Sequence, residues 1–111
     1  MLTKTNRINT AAEFRNAMRK GRKINTAHTV IYVVRNAEAE SRAGFIVTKV
    51  VGNAVNRNFI RRRLRSIAEE FLPRFSVSSD IVIRPNAGAE ELTWEELRSE
   101  ILTGIMRATK K

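Results

Sequence analysis

The sequence contains no cysteine, a single histidine and only two prolines among its 111 residues. Without cysteine there is no disulfide framework, no thiolate metal site and no cysteine nucleophile. A thiol-keeping compartment such as the cytoplasm is the expected location. No apolar run approaches the roughly 20 residues of a membrane span. The opening MLTKTNRINTAAEF also lacks the continuous apolar segment of a secretory signal. Neither secretion nor membrane spanning is expected. No repeat, low-complexity tract or Pro/Gly-rich linker divides the chain, so residues 1–111 read as one domain. With 42% apolar residues, that domain can build a modest core without staples.

Acids are also scarce. Eleven Asp or Glu face 21 Lys or Arg, a formal charge of +10. Such an excess repels itself unless a polyanion is near. Nucleic acid is the leading partner and an anionic membrane surface the second. The excess is uneven. Residues 1–75 hold 16 basic and five acidic residues, a balance of +11, whereas residues 76–111 balance at −1. This distribution predicts a basic face rather than uniform solubilising charge.

The apolar patterning predicts a small α+β domain with helices packed on a sheet. Thr10-Ala-Ala-Glu13 has the spacing of a capping box, so a helix starts after Thr10 and stops at Gly21. Phe14 and Met18 lie one turn apart on its face. Thr29 to Val34 is β-branched and aromatic, hence a strand. Asn36 to Ser41 reads as a hairpin loop, after which Gly44 to Thr48 returns as a second strand. A long helix is expected from about Ala54 to Phe71 or Leu72, ended by Pro73. Ile81 to Ile83 is a short strand ending near Pro85. Thr93-Trp94-Glu95-Glu96 is a second capping box, with Leu92 and Leu97 as its hydrophobic staple. The helix it starts carries Trp94, Leu97, Ile101 and Ile105 as an apolar stripe.

The central helix holds five arginines in nine residues, from Arg57 to Arg65. At about 100° per residue, Ile60, Leu64, Ile67 and Phe71 form one stripe that can pack on a sheet. Asn58, Arg61, Arg62 and Arg65 face outward, Arg57 lies near the margin, and Arg63 points to the other flank. Phe59 faces away from the apolar stripe. Arginine suits phosphate because its planar fork donates two hydrogen bonds to one anion. Like charges at one-turn spacing repel, with only Glu69 and Glu70 near to offset them. A polyanion-binding ridge is the reading this favours over a merely solvated face. Lys49 to Ala54 leads into the helix N-terminus, where unpaired amides can meet an anion and Gly52 permits close approach. The alternative is an ordinary strand-to-helix turn capped by Asn53.

Catalytic chemistry is hard to find. His28 has no acidic partner by spacing, which makes it structural or solvated rather than catalytic. Glu90, Glu91, Glu95 and Glu96 cluster before and within the first turn of the last helix, where acids favour the helix dipole. Oxygen-rich metal sites need converging ligands rather than a sequence cluster, so no metal site is assigned. There is no phosphate-cradling glycine motif and no nucleophile elbow. No catalytic residue is assigned.

Taken together, Lys49-Val50-Val51-Gly52-Asn53-Ala54-Val55-Asn56-Arg57-Asn58-Phe59-Ile60-Arg61-Arg62-Arg63-Leu64-Arg65 resembles the signature of the bacterial ribonuclease P protein family. Arg7, Ile8, Phe14 and Gly21 resemble the family's opening. Arg42 to Lys49 and Asp80 to Arg84 resemble the strands before and after its basic helix. The resemblance implies an RNA-binding subunit of a ribonucleoprotein that removes 5′ leaders from precursor tRNA. Hydrolysis would take place in the catalytic RNA subunit with Mg²⁺, making the chain part of an endoribonuclease without an active site of its own. The expected partners are that RNA and precursor tRNA, with no membrane and no obligate protein partner.

The fold implied is a small two-layer α/β sandwich of about four strands and three helices. It carries a left-handed βαβ crossover at Gly52 and Asn53, where sequence alone predicts the right-handed connection seen in about 98% of cases. The motif carries RNA contact onto Lys49, Asn53, Arg57, Asn58, Arg61, Arg62 and Arg65. Phe14, Met18 and Tyr32 correspond to the family's cleft for the single-stranded leader; read from their residue types alone, Phe14 and Met18 are core. Two positions depart from the family pattern: Val50 replaces a common second lysine, and Phe59 replaces a common arginine. Two other classes fit the charge less completely: a small ribosomal protein and a nuclease acting unaided.

Overall fold

Each helix begins where its capping chemistry places it. In the computed structural model, which describes residues 4–109, α1 spans Ala11–Lys20. The Glu13 N–H donates to Thr10 Oγ1 at 3.2 Å and the Thr10 N–H to Glu13 Oε1 at 3.1 Å. Helix α2 spans Ala54–Phe71 with Asn53 as its cap. Helix α3 spans Trp94–Thr109. Its capping box closes with the Glu96 N–H on Thr93 Oγ1 and the Thr93 N–H on Glu96 Oε1. The four strands are β1 Arg22–Asn25, β2 Thr29–Arg35, β3 Arg42–Phe45 and β4 Ser79–Pro85. Strand β1, with Ile24 as its one apolar residue, is the fourth strand that the resemblance implies but residue patterning does not place; it pairs antiparallel to β2, Ile24 opposite Ile31.

The predicted hairpin is not formed. The strand order is β1-β2-β4-β3, so β4 lies between β2 and β3, antiparallel to the first and parallel to the second. The 36–41 segment instead arches over the entry of β4. The Asn36 N–H donates to the Ser78 carbonyl and the Ser79 N–H to Ser41 Oγ, both at 3.0 Å. Arg42 stands opposite Asp80 in the register and binds its carboxylate. These long-range bonds, one of which takes up the Asn36 N–H, hold the segment in place of a hairpin ladder. The predicted 44–48 strand therefore starts earlier and ends at Phe45, with one more bond from the Ile46 N–H to the Ile83 carbonyl. The outer edge of β3 is covered in turn by Arg7 and Ile8, the Ile8 N–H donating to the Ala43 carbonyl.

The β3-α2-β4 crossover is left-handed, as the family resemblance implied and against the usual hand. The hand follows from the geometry at Ile83. The Ile83 side chain packs in the cluster containing α2, while its carbonyl points toward β3. Seen from the α2 side with β4 running upward, an L-residue facing the viewer turns its carbonyl to the right. Strand β3 therefore lies to the right of β4, and the chain passes leftward in front of the sheet.

Both faces of the sheet are covered, which explains why β2 and β4 read as nearly continuous apolar runs. Ile24, Ile31, Ile81 and Ile83 pack against Ile60, Leu64, Ile67 and Phe71 of α2 and Leu97, Ile101 and Ile105 of α3. Val30, Tyr32 and Val82 face the other way and meet Ala17 of α1 with Ile8. Arg98 clasps Glu70 between α3 and α2 at 2.7 Å. His28 does have an acidic partner, one that spacing could not reveal: Glu100 of α3, at 2.9 Å from Nδ1. Burial pushes the Glu100 carboxyl up. Hydrogen bonds from the Thr26 hydroxyl, the His28 ring and the His28 amide outweigh it, and the group titrates below the usual range. The pair is a structural clasp between the β1–β2 turn and α3.

Candidate nucleic-acid interface

The buried stripe of α2 determines where its arginines stand. Ile60, Leu64, Ile67 and Phe71 are at most 1% exposed, so the rotation of the helix about its axis is not free. Asn58, Arg62 and Arg65 are consequently exposed and Arg61 half-buried. Arg61 Nη1 donates to Asn58 Oδ1 at 3.0 Å. Arg57, at the margin, donates to the Gly52 carbonyl at 3.1 Å and ties the helix to its preceding loop. Among the described residues none of Lys49, Arg57, Arg61, Arg62 and Arg65 is ion-paired with a carboxylate. The ridge is an uncompensated positive strip on a rigid support. Arg63 differs: it crosses to the other flank and donates to the Leu92 carbonyl at 2.7 Å.

The loop before the ridge is a 3₁₀ turn, Lys49–Val51, that leaves Lys49 exposed. Asn53 caps α2 by accepting the Asn56 N–H at 3.0 Å through its side-chain oxygen. The backbone conformation requires Gly52 here, and the Asn56 side chain would have to move to admit any larger residue. Its φ is +116°, and an added Cβ would stand 2.4 Å from Asn56 Nδ2. Gly52→Ala is expected to lower the unfolding free energy by about 1–3 kcal/mol, measured by urea denaturation. A loss below a few tenths would mean that the turn relaxes without strain.

On the opposite side of the sheet, Phe14, Met18 and Tyr32 come together as one cluster with Val30, Val34 and Ile46. Tyr32 is buried, whereas Phe14, Met18, Val34 and Ile46 are half-buried, so the cluster opens to solvent beside α1. Gly44 forms the floor: a Cβ there would approach the Phe14 ring to 2.6 Å. Val30 and Val34 were missed as site residues because they read as ordinary strand core. The period of two that places Tyr32 on this face places them there as well.

A family model described as Ribonuclease P matches residues 2–109. The chain belongs to the ribonuclease P protein family. It is 36% identical over 111 residues to the ribonuclease P protein component of Clavibacter michiganensis subsp. michiganensis, with 99% of this chain and 98% of that protein covered. The ribonuclease P protein component of Finegoldia magna is 42% identical over 79 residues, covering 71% of this chain and 70% of that one. Among solved structures, the Staphylococcus aureus RNase P protein matches with a TM-score of 0.83 at 27% identity, covering 94% of this chain and 95% of that one. The Thermotoga maritima RNase P protein matches with 0.82 at 22% identity, covering 94% and 98%, a likeness of fold. The chain is thus an RNA-binding subunit of ribonuclease P, an RNA-based endoribonuclease of tRNA processing whose catalytic site lies in its RNA partner. The small ribosomal protein and the unaided nuclease are set aside on this ground.

Proposed function

We propose that residues 1–111 form a single RNA-binding domain that serves ribonuclease P through two surfaces at once. The α2 ridge, with Lys49, Asn53, Arg57, Asn58, Arg61, Arg62 and Arg65, binds the RNA subunit. The cleft beside α1, with Phe14, Met18 and Tyr32, holds the single-stranded 5′ leader of precursor tRNA. The observation that carries this reading is the pair of surfaces on opposite sides of one sheet. A rigid, acid-free row of arginines suits duplex phosphates, and a half-open aromatic cluster suits unpaired bases. The ridge lowers repulsion between the RNAs, and the cleft adds substrate affinity, so less Mg²⁺ is needed. Among the described residues no three His, Asp or Glu side chains converge on a cation site. The protein's residues fit Mg²⁺ poorly, and the ion is assigned mainly to the RNA. A cytoplasmic location and the absence of a membrane or obligate protein partner complete the proposal; among the described residues no helix is long and apolar enough to cross a membrane.

The test is cleavage of a 5′-extended precursor tRNA at low Mg²⁺ by the cognate RNA subunit alone, the protein alone, and both. Activity only in the mixture, with a correct mature 5′ end, supports the proposal; no gain over RNA alone from folded, bound protein overturns it. The cleft has its own test. Phe14→Ala is expected to weaken holoenzyme binding of precursor tRNA about 10-fold while leaving mature tRNA within about twofold. Equal loss for both ligands would assign Phe14 to packing alone.

A further inference from the structure

Phe59 is an aromatic ring that neither apolar cluster uses. It lies on the flank of α2 between the arginine ridge and Arg63, half-buried, with Arg62 bordering it one turn on. The Arg63 guanidinium stands over the ring at 4.2 Å from its centroid. Arg63 is itself held by the Leu92 carbonyl at 2.7 Å. One face of the ring is therefore covered by a fixed cation, which restricts its rotamers and costs no core packing. On the other side, one turn earlier on the same flank, Val55 is 74% exposed. The contact with Arg63 fixes the ring, but neither core requires a large apolar side chain on this positive helix beside an exposed valine.

We propose that Phe59 is a stacking platform for one unpaired nucleobase of a bound RNA. The base lies on the ring face turned from Arg63, with Val55 along its edge. The phosphates flanking it fall to Asn58, Arg61 and Arg62. Stacking tolerates any base because each has a π-face, and the cation on the far side of the ring extends the stack. A platform immobilised before binding loses little side-chain entropy when the base arrives. The base can come from the RNA subunit or from the precursor, and the chemistry is the same for both. This inference rests on the reading of α2 as an RNA-binding ridge, and the experiment separates the two.

The experiment uses the full chain with Phe59→Leu, Phe59→Trp or Arg62→Ala. Dissociation constants are measured across a salt series, first for the cognate RNA subunit and then for precursor tRNA on the assembled holoenzyme. Phe59→Leu is expected to weaken one of the two steps about 10-fold at every salt concentration, with an unchanged log–log slope, because stacking releases no counterions. Phe59→Trp keeps wild-type affinity. Arg62→Ala flattens the slope by about one. A loss at assembly assigns the base to the RNA subunit, and a loss at the second step assigns it to the precursor. Because the ring lies outside both cores and gives up only its contact with Arg63, the Tm of Phe59→Leu should fall by no more than a few degrees. Wild-type binding of both RNAs by Phe59→Leu overturns the platform, as does a Phe59→Trp variant as weak as Phe59→Leu. An unchanged slope in Arg62→Ala overturns the ridge reading instead.

Discussion

Replacing Arg42 with alanine is expected to remove about 3–5 kcal/mol of stability, because it leaves a buried carboxylate with no charged partner, only the Asn36 amide at 2.7 Å. Asp80 is only 4% exposed. Arg42 meets it with two parallel bonds, Nε to Oδ1 at 2.9 Å and Nη2 to Oδ2 at 2.7 Å. The remaining nitrogen, Nη1, reaches Glu13 of α1 at 2.6 Å. One side chain thus joins the parallel β3–β4 pair to the helix that walls the proposed leader cleft. The Asp80 hydrogen bonds raise the Arg42 guanidinium further above its ordinary value. The Arg42 hydrogen bond, in turn, holds Glu13 below the usual carboxylate range. Since folded stability is typically about 5–15 kcal/mol, the loss should be plain in urea titration at neutral pH. Arg42→Ala with Asp80→Asn should recover part of it, since no unpaired charge then remains buried. A loss under about 1 kcal/mol for the single variant would show that water reaches Asp80 and that the network is dispensable. The sign with pH follows from the lowered Glu13. Its contribution is complete above the ordinary value of 4.5 and is lost as pH falls through the depressed one. The Arg42→Ala protein, lacking the largest cause of that depression and keeping only the Asn9 and Thr10 hydrogen bonds, should lose less stability over the same acid window.

Converting Arg61, Arg62 and Arg65 together to alanine should weaken binding to the RNA subunit by about 10²–10³-fold near 0.15 M salt. The log–log salt dependence should flatten by about two to three, since each lost phosphate contact removes its share of counterion release. Folding should be unaffected or slightly improved: none of the three is ion-paired among the described residues, and their mutual repulsion along the helix disappears. Circular dichroism melting beside the binding series distinguishes the cases. A protein that melts normally and binds with the wild-type slope would remove the ridge from RNA recognition.

The two surfaces differ in how far the sequence exposes them. The ridge was legible because a helix relates residues three and four apart. Once Ile60, Leu64, Ile67 and Phe71 define the inner side, Arg62 and Arg65 can only face out. The cleft was not legible from residue types, because Phe14 and Met18 look like any amphipathic helix face. Only the position of α1 on the face carrying Tyr32, over a floor at Gly44, leaves them half-open together. Arg63 shows the same limit in reverse. Its place on the other flank was legible, but its bond to Leu92 depends on where α3 begins.

By itself the sequence determined the three helices and their caps, strand β2 and the Ile81–Ile83 centre of β4, the basic ridge and the family to which the chain belongs. These depend on periods of two and 3.6 residues, on side chains bonding backbone three residues away, and on motif order. Tertiary structure alone decided that β4 enters between β2 and β3 and that His28 has a partner. Those outcomes turn on contacts 38 residues apart for Arg42 and Asp80 and 72 apart for His28 and Glu100. The hand of the crossover belongs with them. The family resemblance implied it, but no local rule reports which side of β4 the preceding strand will take, because that depends on which edge of the assembled sheet has backbone groups left to pair.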